Sequence, residues 1–154
     1  YLDDTFNEVS LLISFQNSSF LNRCYGFVQT QSAFGIVMEL QSGGELFSML
    51  SDDDRLPPYC KIYVAAEILI ALEELHERGI MYRDLKAENI LFGPDRHIVL
   101  TDFGYSKRLP SNGRTMTLVG TPDYTAPEII RREMYGFKAD IWSFGVLIYE
   151  IMCS

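Results

Sequence analysis

Residues 82–89 read Tyr82-Arg83-Asp84-Leu85-Lys86-Ala87-Glu88-Asn89, and Asp102-Phe103-Gly104 follows a short way downstream. Between them, residues 90–92 and 98–101 are short apolar runs flanking Gly93-Pro94-Asp95, which predicts two strands joined by a turn. Polar side chains therefore stand at both ends of one hairpin. Asp84 supplies a carboxylate able to orient a hydroxyl. Asn89 and Asp102 supply oxygen donors suited to a hard cation such as magnesium, which keeps much of its water.

Working outward, residues 59–77 form the clearest predicted helix. Ile62, Ala66, Leu69, Leu72 and Leu75 make one face, Lys61, Glu67, Glu74 and Glu77 lie off it, and Gly79 ends it. Residues 3–15 carry Phe6, Val9, Leu12 and Ile13 at helical spacing. Residues 21–28 and 34–40 read as an antiparallel hairpin, and Ser42-Gly43-Gly44-Glu45 opens a short helix through Leu50. Asp52-Asp53-Asp54 and Pro57-Pro58 belong to a polar loop. Downstream, residues 109–125 read as an exposed loop. Residues 139–152 are apolar almost all round, which predicts a helix buried on every side.

At 154 residues, 47% of them apolar, the chain is long enough for one core and too apolar for disorder. A net charge of -8 argues against a nucleic-acid binder, which needs a basic surface, and is compatible with a positively charged partner. Cys24, Cys60 and Cys153 are odd in number and widely spaced, without metal-ligand pairing. They read as reduced, mostly buried thiols in a cytoplasmic or nuclear setting. The start of the chain lacks signal-peptide character, and its longest apolar stretch, 141–153, is too short to span a bilayer.

The ordered set formed by residues 82–89, Asp102-Phe103-Gly104 and Ala126-Pro127-Glu128 resembles the eukaryotic protein kinase catalytic domain. Residues 82–86 and 113–124 are most similar to the AGC group, close to the cyclic-nucleotide-dependent serine/threonine kinases. The resemblance implies an incomplete α+β kinase fold. Residues 1–37 would be part of the small lobe (a helix and two strands), 38–41 the hinge, and 42–154 a partial helical large lobe. It also implies ATP and Mg2+ as cofactors.

In that frame Asp84 orients the substrate hydroxyl, Lys86 neutralises the transferring phosphoryl group, and Asn89 and Asp102 hold the metal. Adenine would rest on Met38, with backbone hydrogen bonds from Glu39 and Gln41, and with Leu46, Ile90, Leu91 and Thr101 nearby. Lys86 and Thr121 point to serine or threonine as acceptor. Glu45, Glu88 and Glu150 match positions that bind arginines ahead of the phosphoacceptor. Ser42 and Glu45 also fit a capping box, and both readings stay open. Glu150 needs a reason to stand in an apolar helix. Leu118 and Pro122 match the pocket for the residue after the acceptor, where Thr125 replaces a larger apolar residue. Thr117 matches a phosphorylation site for an upstream kinase, its phosphate binding Arg83 and Lys107. Glu8 matches the helix glutamate that pairs with the ATP-positioning lysine, and Asp4 stands where relatives place a histidine.

No glycine-rich phosphate loop or partner lysine precedes Glu8, so the chain reads as an internal part of a longer kinase. These residues alone are expected to be inactive and loosely packed or prone to aggregate. The alternative function is a pseudokinase or a non-catalytic module that binds peptides.

Overall fold

The computed structural model describes residues 11, 13, 15, 17–51 and 56–154. Asp4, Glu8 and most of the first predicted helix lie outside the described residues, as does the acidic run 52–54.

The first hairpin forms as its β-branched and aromatic residues predict. β1 (Cys24–Gln29) pairs antiparallel with β2 (Phe34–Met38), with Gln29 opposite Phe34 and an irregularity between Cys24 and Gly26. The Thr30 hydroxyl closes the turn by accepting the Ala33 N–H at 2.9 Å. The lead-in to β1 docks elsewhere: the Asn22 N–H donates to the Leu100 carbonyl at 2.9 Å, and the Leu100 N–H to the Phe20 carbonyl at 2.8 Å.

After the hairpin come α1 (Leu46–Ser51) and α2 (Pro58–Glu77). The helix α1 starts at Leu46, so Glu45 stands at its N-cap rather than three residues inside, and the capping-box geometry is not formed. In α2 the buried face is Lys61, Val64, Ile68, Ala71, Leu72 and Leu75, whereas Ile62, Ala66 and Leu69, predicted inward, are exposed, and Lys61, predicted off that face, is buried. The sequence is apolar on several sides of this helix, so periodicity could not choose a face. Packing against β3 (Ile80–Met81), β5 (Ile98–Leu100) and α4 (Lys138–Cys153) chooses it. Lys61 is tolerated there because its Nζ donates to the Ser154 carbonyl at 2.9 Å, beyond the end of α4.

The second hairpin is β4 (Ile90–Phe92) with β5, register Ile90 to Leu100 and Phe92 to Ile98. A two-residue strand missed in the sequence, β6 (Lys107–Arg108), pairs with β3. Short 3-10 turns occupy Ala87–Asn89 and Pro122–Tyr124, and α3 (Pro127–Ile130) precedes α4.

The large buried cluster gathers Leu46, Ile68, Leu72, Leu75, Ile90, Leu100, Leu147 and Ile151. Inside it Phe103 meets Phe15 and Tyr82 with ring centroids 5.5 Å apart in each pair. α4 is not buried on every side: Ile141, Trp142, Tyr149 and Met152 are exposed, and no described element covers them. Likewise Cys24 alone among the three cysteines is buried. No helix among the described residues is long and apolar enough to cross a membrane.

Candidate functional site

The polar residues of 82–89 converge because their segment crosses between β3 and β4 with almost no regular structure of its own. Asp84 is buried, and its side-chain partners among the described residues were all named from the sequence. Its Oδ2 accepts from Asn89 Nδ2 at 2.9 Å and lies 3.0 Å from Lys86 Nζ; its Oδ1 accepts from Thr121 Oγ1 at 2.7 Å. Lys86 Nζ also donates to Thr121 Oγ1 at 3.1 Å. One carboxylate thus ties residues 84–89 to the segment containing Thr121.

Partial burial alone would lower the pKa of Lys86. The hydrogen bond and charge of Asp84, aided by Glu88 and Asp102, outweigh it and hold the ammonium above its ordinary value. Lys86 is therefore a fixed cation. Burial, then the charges of Asp102 and Asp84, push the Tyr82 hydroxyl well above its usual value. That hydroxyl donates to the Thr101 carbonyl, so Tyr82 is a packed, neutral strut beside the site.

Asp102 stands just after β5, exposed, with φ 55°; its Oδ1 accepts the Gly104 N–H at 3.2 Å. The Thr101 N–H donates to the Asn89 carbonyl at 3.0 Å, which sets Asp102 next to Asn89 along the hairpin. Asn89 Nδ2 also donates to the Asp84 carbonyl, so the amide oxygen is its remaining donor atom. A carboxylate and an amide oxygen fit a magnesium ion that draws its other ligands from water and phosphate. Among the described residues, no three His, Cys, Asp or Glu side chains gather to hold a metal by themselves.

Two residues beside these groups carry left-handed backbone: Arg83 at φ 70° and Asp102 at φ 55°. Such a conformation costs about 1–2 kcal/mol for a residue with a Cβ and needs something to hold it. For Arg83 the holder is Asp140, a buried residue in the first turn of α4. Its Oδ1 accepts the Arg83 N–H at 2.8 Å, its Oδ2 accepts the Tyr82 N–H at 3.0 Å, and His76 Nε2 lies 2.7 Å from the same Oδ2. Sequence reasoning missed Asp140. The signal was available, since an aspartate in an otherwise apolar helix needs a partner as much as Glu150 does.

Glu150, further along α4, accepts a hydrogen bond from the Tyr124 hydroxyl. Burial, followed by the Glu150 hydrogen bond and charge, raises the Tyr124 pKa, so this group stays a donor. Glu88 and Glu45 are exposed, Glu88 on the turn before Asn89 and Glu45 bridged to Leu91. Leu118 and Pro122 are exposed, and the Thr125 hydroxyl donates to the Thr121 carbonyl at 2.8 Å.

Residues 38–41, expected as the hinge, lie where β2 leaves the first hairpin. Met38 packs against the core cluster, the Glu39 N–H donates to the Arg23 carbonyl at 2.8 Å, and the Gln41 amide donates to the buried Asn22 at 2.9 Å. Beyond it Gly43 passes so close to β4 that a Cβ would fall 2.6 Å from Phe92 atoms. The same stretch is joined to β4 by a bridge from Glu45 to Leu91, and Leu46 is buried in the core cluster.

Around the predicted modification site, Thr117 is exposed while its backbone is fixed, its carbonyl accepting from Tyr135. Lys107 Nζ donates to Thr115 Oγ1 at 3.3 Å, and the two threonine hydroxyls are 3.3 Å apart. Thr115 itself is buried through a bridge to Tyr135, so residues 109–125 are not wholly an exposed loop. Arg83 Nη1 is buried without a hydrogen-bond partner among the described residues.

A family profile described as "Protein kinase domain" matches residues 2–154. The chain belongs to the protein kinase family. It is 46% identical over 149 residues to cAMP-dependent protein kinase type 3 of Saccharomyces cerevisiae, covering 96% of this chain and 37% of that protein. It is 47% identical over 135 residues to protein kinase C zeta type of Oryctolagus cuniculus, covering 87% and 22%. It is 41% identical over 152 residues to protein kinase 2 of Dictyostelium discoideum, covering 98% and 31%. This kinase-domain chain therefore spans less than two-fifths of the length of these curated relatives. The names agree with the AGC-type resemblance and with an incomplete α+β kinase fold.

Proposed function

We propose that the chain carries the catalytic core of a serine/threonine protein kinase that transfers the γ-phosphate of ATP to basic peptides. The observation that carries this reading is the shared Asp84 carboxylate, which holds Lys86, Asn89 and Thr121 within hydrogen-bonding reach. A group in that position can accept the proton of a seryl or threonyl hydroxyl and aim its oxygen at the phosphoryl group. Lys86, kept charged, faces the same point and offsets the charge that develops on the moving group. Asn89 and Asp102 would hold magnesium, which supplies electrostatic stabilisation of the phosphate oxygens. Met38, Glu39, Gln41, Leu91 and Thr101 would orient the adenine end.

Glu45, Glu88 and Glu150 would bind arginines ahead of the acceptor. At Glu150 one oxygen is taken by Tyr124, so a guanidinium meets the other oxygen and an undiminished charge. Leu118 and Pro122 would touch the residue after the acceptor. Phosphate on Thr117, added by an upstream kinase, would bring about -1.5 to -2 of charge toward Lys107 and toward Arg83 Nη1, which has no hydrogen-bond partner among the described residues. That orphaned nitrogen is the feature that favours a regulatory anion.

The test is phosphate transfer by the full-length protein to a serine peptide carrying arginines, beside an acidic peptide, with Asp84→Asn and Lys86→Ala as controls. Transfer to the basic peptide that disappears in Asp84→Asn is the expected result. Nucleotide binding without transfer by the natural protein would establish the pseudokinase alternative instead.

A further inference from the structure

We propose that Ser143 is a positioning residue that holds the acceptor-side segment 121–125 on α4 through the backbone of Tyr124. The inference rests on the kinase reading above, which assigns that segment to peptide binding. A serine within a helix ordinarily gives its proton to the carbonyl four residues back. Ser143 has that partner, the Ala139 carbonyl at 3.2 Å, but the Tyr124 carbonyl is nearer at 2.8 Å. A hydroxyl has one proton to give, and the shorter contact leaves the helix for another part of the chain.

The far end of the same tyrosine is held by the same helix. The Tyr124 hydroxyl donates to Glu150, which lies two turns beyond Ser143 on one face of α4. Tyr124 is thus fixed at its main chain and at its side-chain tip by two polar residues of an apolar helix. From there the connection continues inward. The Tyr124 N–H donates to the Thr121 carbonyl at 3.1 Å, the Thr125 hydroxyl donates to the same carbonyl at 2.8 Å, and the Thr121 hydroxyl donates to Asp84 at 2.7 Å. Asp84, Lys86 and Asn89 keep their own mutual bonds whatever Ser143 does. Loss of the Ser143 hydroxyl should therefore disturb the peptide side of the site and spare the nucleotide side.

The experiment compares the full-length protein with its Ser143→Ala and Ser143→Thr variants, using a serine peptide that carries arginines. Ser143→Ala is expected to raise the peptide KM about 5–10-fold, the effect of one lost hydrogen bond, with ATP KM unchanged. Ser143→Thr, which keeps the hydroxyl, should recover most of that loss. Amide hydrogen exchange in the same variants should speed up in residues 121–126 and not in α4. An unchanged peptide KM with unchanged exchange would overturn the proposal, as would peptide and ATP KM rising together. If the natural protein transfers no phosphate, the kinase reading fails and the exchange pattern alone decides the Ser143 tether.

Discussion

Replacing Asp140 by alanine removes the acceptor shared by the N–H groups of Tyr82 and Arg83 and by His76. The first belongs to fully buried Tyr82 and the second to its half-buried neighbour Arg83, both bonded to a buried carboxylate. Each donor left without a partner costs about 1–3 kcal/mol, so two of them give about 4 kcal/mol. Against a typical domain stability of about 5–15 kcal/mol that is a large loss. Asparagine is the informative comparison. Its oxygen can still accept from Arg83, while its amide nitrogen replaces the oxygen that faced Tyr82 and His76, and about 2 kcal/mol should be lost. The assay is denaturant unfolding of the full-length protein and both variants, read as a shift in midpoint at constant slope. Activity should fall further than stability, because the Arg83 backbone that carries Asp84 loses its tether. Less than about 1 kcal/mol lost in Asp140→Ala, or equal losses in the two variants, would refute the reasoning from orphaned donors.

Two other outcomes follow from geometry. In Gly120→Ala the new Cβ would lie 2.9 Å from the Arg83 carbonyl at a φ of +112°, so the acceptor-side segment must retreat from the catalytic loop. Peptide phosphorylation should drop about 5–150-fold, the rate equivalent of a strain of about 1–3 kcal/mol, and an alanine variant of undiminished activity would contradict the packing described. His97 Nδ1 lies 2.6 Å from Glu67, whose other oxygen accepts the Ile98 N–H at 3.0 Å, and this carboxylate raises the histidine pKa. Because the folded value is raised, the pair's contribution is complete below the unfolded value of about 6.5 and is lost as pH climbs through the folded one. Histidine proton NMR should give a midpoint above about 6.5 that Glu67→Gln brings back down and that added salt weakens. An identical midpoint in the variant would exclude the pairing.

The legible part of the site was the part whose residues are neighbours in sequence. Asp84, Lys86 and Asn89 lie within one loop, and Asp102 follows a hairpin whose strands and turn are written in apolar triplets around Gly93-Pro94-Asp95. Spacing alone could bring such residues together. Asp140 and Ser143 could not be found that way, because they reach back from a helix far downstream. They still left a trace, as polar side chains on the apolar α4, a trace followed for Glu150 and not for them. The α2 face was misread for the opposite reason. Tyr59, Ile62, Tyr63, Leu69 and Ile70 make a second apolar side, so only the positions of β5 and α4 tell which side turns inward. β6 was invisible because Lys107 and Arg108 carry no strand pattern and pair only through their backbone with β3.

If the proposed kinase reading holds, the left-handed residues Arg83 and Asp102 make heat tolerance and turnover competing demands at these two codons. A laboratory selection that rewarded survival at high temperature and nothing else would drift toward glycine at both, since glycine adopts that backbone at little cost. The survivors would be hardier and catalytically silent, having traded away a guanidinium and a carboxylate for an easier bend in the chain.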